Sequence, residues 1–327
     1  MRRMKGALPI LITLLVILIS SCDPPLECDT GTHGVSASFS DRSSIRTMEQ
    51  NRTVPVVVSI KNEGASPTQG IVRLRHNQDL VRVNPNNITF SDLPGKEDWN
   101  RCLGQEERVV FDVNPYPLPI TAQRFDTDLT LDICYEYETN FSTTVCVDPR
   151  SQGINVLDPN CVPGERTFRG GQGGPLGIVR VSAPVYYDDD GGSVRIRFTL
   201  ENFRNGRIVS YSTDSLDHSC SLHPDVFENY ISVDAYLDDK TMECTELNPD
   251  FDRYPQNDDG SSKTYLRPDP EQMETRDGMV TLRRLTFVCT ASDIGIEREL
   301  DMQLRTEMRY YYRDTRSDSI TTELRKI

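Results

Sequence analysis

Apolar and polar residues alternate along much of the chain. VPVVVSI places Val54, Val56, Val58 and Ile60 on one face. LTLDICYEY places Leu129, Leu131, Ile133, Tyr135 and Tyr137 on one face, with Thr130, Asp132, Cys134, Glu136 and Glu138 on the other. VRIRFTL aligns Val194, Ile196, Phe198 and Leu200, and LDMQLRTEMRY aligns Leu300, Met302, Leu304, Met308 and Tyr310. A period of two is the mark of half-buried strands. Beyond the N-terminus no segment carries an apolar stripe of period 3.6 long enough for a substantial helix. The pattern predicts an all-β fold.

The strands come in two sets. VSIKNEGASPTQGIVRL (58 to 74) matches FTLENFRNGRIVSY (198 to 211), with Asn62 and Asn202 at the same step. LTLDICYEYETNFSTTV (129 to 145) matches LRTEMRYYYRDTRSDSI (304 to 320) at a constant offset of 175, so Tyr135 and Tyr137 fall on Tyr310 and Tyr312. Each set has the size and strand number of an immunoglobulin-like β-sandwich. The expected organisation is a tether over residues 22–50, one sandwich over 51–163 and a second over 178–327. The glycine-rich stretch 164–177 between them reads as a flexible hinge.

The N-terminus breaks the alternation. MRRMK is a cationic start, and Ala7 to Ile19 is an apolar run. The run is short for a ~30 Å hydrocarbon core and suits the apolar region of an export signal over residues 1–21. Ile19-Ser20-Ser21-Cys22 follows and resembles the lipobox of prokaryotic lipoproteins. That resemblance implies removal of the signal, lipid on Cys22, and membrane attachment at the cell surface or periplasmic face. An uncleaved anchor and a plain secretory peptide are the alternatives, and each exports the remainder.

Composition narrows the chemistry. The formal net charge of −14 argues against nucleic acid, whose phosphates need a basic surface. There are nine cysteines, and setting Cys22 aside leaves an even number for an oxidising compartment. No Cys-x-x-Cys pair occurs. His218, Cys220 and His223 lie close together in HSCSLH, but Cys220 is more simply a disulfide partner. Acidic, glycine-containing stretches (YYDDDGGS, QNDDGSS and Asp238-Asp239) have the composition of calcium loops and equally of solvated turns, and none has the full loop pattern. With four histidines and no nucleophile elbow or zinc-protease motif, no catalytic residue, metal site or cofactor is expected, and the chain reads as a non-enzyme.

A strand leading into Lys61-Asn62-Glu63-Gly64, followed by the strand Gly70-Ile71-Val72-Arg73-Leu74, resembles the CARDB-type immunoglobulin-like domains of archaeal and bacterial surface proteins. CYEYET…VCVDP with a GGQGGP segment is similar to predicted surface proteins of small-genome archaea. The resemblance implies a surface module that binds a protein or glycan partner or acts as a spacer. A structural component of a surface layer or appendage, and an accessory domain of an extracellular hydrolase, are the other readings.

Specific positions follow from the strand faces. ICYEYETNFSTTVCVDP reads as a hairpin turning near Asn140, with Cys134 and Cys146 opposite each other on its outer face and able to form a surface disulfide. Cys289 is in step with Leu285 and Phe287, and Cys244 with Met242, which predicts a second bridge, Cys244–Cys289, between sheets. Cys28, Cys102, Cys161 and Cys220 would supply the rest. In Tyr310-Tyr311-Tyr312 the alternation turns only Tyr311 outward. Glycosylation sequons stand at Asn51, Asn87 and Asn140, the last at the expected hairpin tip.

Overall fold

A computed structural model describes residues 28, 30–96, 102–118, 121–150, 161–187, 191–209, 220, 231–246, 264–266, 273–276 and 279–326. The expected export signal and Cys22 lie outside them. The first set of strands comprises β1 (Val35–Phe39), β2 (Thr47–Glu49), β3 (Val54–Asn62), β4 (Thr68–Arg75), β5 (Val81–Asn84), β6 (Asn87–Leu93), β7 (Glu106–Pro115) and β8 (Arg124–Val147). The second comprises β9 (Arg166–Thr167), β10 (Leu176–Val181), β11 (Val185–Tyr187), β12 (Ser193–Asn202), β13 (Arg207–Val209), β14 (Ile231–Leu237), β15 (Lys240–Glu246), β16 (Thr264–Leu266), β17 (Met273–Arg276), β18 (Met279–Leu282), β19 (Arg284–Ser292) and β20 (Leu300–Arg325). Among the described residues the only helix is the single turn α1 (Arg42–Ile45), capped by the Asp41 carboxylate on the Ser43 amide. The all-β class read from the alternation is the class observed.

Two lobes share one long sheet. Its strand order is β6-β4-β8-β20-β14-β15-β19-β12-β10-β9, with β2, β11, β13 and β16 attached beside it. In the first lobe, a separate sheet of order β1-β3-β7-β5 packs on the β6-β4-β8 end, burying Val56, Val58, Ile60 and Phe111 with Leu131 and Ile133. In the second lobe the sheet turns back on itself at the tight connection between β14 and β15, where Leu237 faces Lys240. Phe198 and Phe287, partners across β12 and β19, stack with centroids 5.0 Å apart. The repeat is visible in side-chain detail. Asn62 accepts from the Gly64 amide and donates to the Ser66 carbonyl, while Asn202 accepts from the Arg204 amide and donates to the Gly206 carbonyl.

The stretch expected to be a hairpin is a single strand. β8 runs for 24 residues and β20 for 26, and the two pair antiparallel from Arg124↔Arg325 to Val147↔Leu300. The reason is in the sequence: Thr139, Phe141, Val145 and Val147 continue the inward phase set by Leu129, so nothing turns the chain at Asn140. At about 3.3 Å per residue the ribbon is roughly 80 Å long.

Glu136 lies directly opposite Tyr311, and these are also equivalent positions of the repeat, 175 apart. A local pseudo-twofold axis therefore passes through this pair. Tyr135, Tyr137, Tyr310 and Tyr312 are buried around it, with Tyr135 5.7 Å from Tyr312 and Tyr137 6.1 Å from Tyr310 between ring centroids.

The axis carries each long strand into the other lobe. The second half of β20 packs in the first lobe, where the Ser317 hydroxyl bonds to both the amide and the carbonyl of Ala37 and β2 lies parallel to Glu323–Arg325. Reciprocally, Phe141 of β8 packs edge-on against Phe168 in the second lobe at 4.8 Å. Residues 35–49, expected as tether, thus form β1, α1 and β2 of the first lobe.

The glycine-rich stretch is not a free hinge. Gly170, Gly171 and Gly173 take positive φ, which glycine adopts without steric cost. The Gly173 carbonyl accepts from the Ala65 amide and from the Tyr137 hydroxyl at 2.6 Å, and its amide donates to Gly31. The segment is tied to the base of the tyrosine cluster.

Candidate functional site

The ribbon has an inner face, which is core, and an outer face with two unlike halves. Equivalent positions place Asp132, Cys134 and Arg313 on one side of the axis and Glu307, Arg309 and Glu138 on the other.

The first half is covered. Cys134 is bonded to Cys220, and the Cys220 carbonyl accepts from Arg73. Beneath it, Ile71, Cys134, Val209, Cys220 and Tyr311 form a second, small apolar cluster. Tyr311 does point to the outer face, as the alternation predicts, yet it is only 5% exposed, packed in this cluster with Cys220. Arg313 donates to both carboxylate oxygens of Asp132, with Nε at 3.0 Å, and both side chains are almost fully buried. The bulge between Asp314 and Asp318 sits opposite Asp132 and gives the guanidinium its approach.

The second half is open. Arg309 pairs with Glu138 at 2.8 Å and with Glu307 at 3.5 Å, all three partly exposed. Burial works against the Glu138 carboxylate, but hydrogen bonds from Asn140 and Arg309 outweigh it and hold its pKa below the usual value. Asn140 stands here in mid-strand, exposed on a flat sheet face, and not at a turn. Of the other sequons, Asn51 is exposed in a turn at φ 60°, and Asn87 is exposed at the start of β6.

The remaining cysteines depart from the expected pairing in one place and match it in another. Cys134 and Cys146 are twelve residues apart on one strand, which at about 3.3 Å per residue is far beyond disulfide reach. The expected Cys134–Cys146 bridge is therefore corrected to Cys134–Cys220 and Cys146–Cys161. Cys244 is bonded to Cys289, but the two are neighbours across β15 and β19 in one sheet and do not bridge between sheets. Cys28 and Cys102 form the fourth bond.

Among the described residues, the one group with metal-ligand geometry is Cys146, Cys161 and Asp301, and its two sulfurs are already joined to each other. Cys220 is likewise spent in a disulfide, while His218 and His223 lie outside the described residues. Asp238 forms the β14–β15 turn: its amide donates to the Gln303 carbonyl and its carboxylate accepts from the Gln303 amide, both at 2.7 Å. Asp238 and Asp239 line an open recess of about 520 Å³ with Asp293, Arg305 and several apolar side chains. The other two acidic stretches fall wholly or partly outside the described residues.

No protein-family model matches the chain, and no curated protein matches it in sequence.

Proposed function

We propose that the chain is an exported, lipid-anchored, non-enzymatic module that holds a protein or glycan partner at a fixed distance from the membrane. On this reading its lobes are tandem immunoglobulin-like sandwiches and Cys22 carries the lipid. The supporting observation is the ribbon: a strand pair of roughly 80 Å threads both lobes and exchanges its ends between them, so the lobes move as one body. A rigid strut suits spacing and presentation. Four disulfides fit the same exported setting.

Metabolic labelling with radioactive palmitate, followed by membrane fractionation, tests the anchor. The full chain should carry label and sediment with membranes, and Cys22→Ala should lose the label. Label retained by Cys22→Ala would defeat lipidation at this residue. Ordered assembly of the purified chain into sheets or fibres would instead favour a layer component.

A further inference from the structure

The two ends of the ribbon are alike in sequence and differ in their ion pairs. At the second-lobe end, Arg150 is held between two carboxylates, Asp148 at 2.9 Å and the nearly buried Glu299. At the first-lobe end the sequence counterparts are Arg325, Glu323 and Arg124, and the bulge between Asp314 and Asp318 sets them in a different register. Arg325 keeps its carboxylate, with Nε 2.7 Å from Glu323. Where the other end has Glu299, this end has a second cation.

Arg124 and Arg325 lie directly opposite each other across the antiparallel pair. Like charges so placed repel and cost stability. Together with Lys326, Gln123 and Glu323 they line an open recess of about 490 Å³. Three cations thus meet one carboxylate, and that carboxylate is already bonded to Arg325. Of the neighbouring acids, Glu49 is taken by Arg52, and Asp126 stands opposite Glu323, one row further in. Among the described residues neither Arg124 nor Lys326 forms a salt bridge. All this occurs in a chain whose net charge is −14.

We infer that the recess between Arg124, Arg325 and Lys326 binds an oxyanion, a carboxylate or phosphate group. Arginine presents a planar fork of donors that matches such groups in a bidentate manner, and lysine adds a point charge. The anion comes either from a small soluble acid or from the phosphate of a lipid headgroup.

The test uses a chain starting at residue 23, which retains every strand, helix and disulfide of the structure. Its melting temperature is measured in phosphate and in chloride of equal ionic strength, and its sedimentation is followed with vesicles of anionic or of zwitterionic phospholipid. At tenfold excess over the dissociation constant, phosphate should raise Tm by about 2 °C. Arg124→Glu places a carboxylate directly opposite Arg325. It should raise Tm in chloride by pairing with Arg325, and should abolish both the phosphate increment and any vesicle binding. Arg124→Gln, which removes the charge without adding a pair, should abolish both with no gain in chloride.

A phosphate increment lost in both variants establishes a soluble ligand. Vesicle binding alone, lost in both variants, establishes the lipid source. Increments or vesicle binding unchanged in the variants, or absent from the parent chain, overturn the inference.

Discussion

The outer face of the ribbon presents one backbone arrangement in two settings. Asp132, Cys134 and Arg313 are buried, with Cys134 bonded to Cys220; Glu307, Arg309 and Glu138, at equivalent positions, are partly exposed. The inner face tells the opposite story, for its four tyrosines are matched across the axis in identity and burial. Strand pairing and core packing constrain the inner face from both lobes at once, so the copies stayed alike. The outer face is free of that constraint, and there the copies diverged into a sealed patch and a solvated one.

The largest test of this contrast removes the seal. Changing Cys134 and Cys220 to Ser opens a loop with a sequence separation of 86 and should cost roughly 4–5 kcal/mol on the chain-entropy model, read from urea unfolding. The same change at Cys146 and Cys161, separated by 15, should cost about 3 kcal/mol. Equal losses would mean that loop closure does not govern the difference. Next come the ion pairs. Asp132→Ala leaves the buried Arg313 uncompensated and should cost about 3–5 kcal/mol, whereas Glu138→Ala, on the solvated side, should cost less than about 1 kcal/mol. Similar values for the two would erase the distinction between sealed and open halves.

A smaller effect comes from the tyrosine hydroxyls. That of Tyr137 donates to Gly173 and accepts from the Ser66 amide, and that of Tyr312 donates to Asn202 and accepts from the Gly206 backbone. Tyr137→Phe should therefore cost about 1–3 kcal/mol, because it leaves a carbonyl and an amide without their partner. The smallest is a pH effect. Burial raises the pKa of Tyr135, Tyr137, Tyr310 and Tyr312 above 10. The contribution of these phenols is complete below pH 10 and falls as the pH rises above it, since the unfolded chain ionises first. Absorbance at 295 nm should show a class of tyrosines that ionises only on unfolding. A single titration of all tyrosines near pH 10 in the folded chain would contradict their burial.

Much of the fold was legible because alternation is a local signal. The inward phase of Leu129 to Tyr137 and the equivalence of Asn62 and Asn202 survive in the structure, and the offset of 175 holds as far as the bulge after Asp314. The hairpin misreading came from giving weight to Asn140 as a turn residue while the inward phase ran on through Thr139 and Phe141; following the phase to Val147 would have given the long strand. The partner of Cys134 was not legible, because Cys220 is brought over the sheet by packing remote in sequence, and face assignment alone cannot select among four open cysteines. Nor did the repeat reveal that its copies exchange ends. An offset says that two segments are alike, and it says nothing of which one lies against which. The recess at Arg124 needed the structure too, since only the register places Arg124 opposite Arg325.

The crossing of β20 also fixes an order of events. Residues 317–325 supply the edge on which β1 and β2 close, and they leave the ribosome after all of residues 28–316. The first lobe to emerge is thus the last to be finished. Until β20 is complete, β1 and β2 lack the edge they close on, so the leading half of the chain waits for the trailing one.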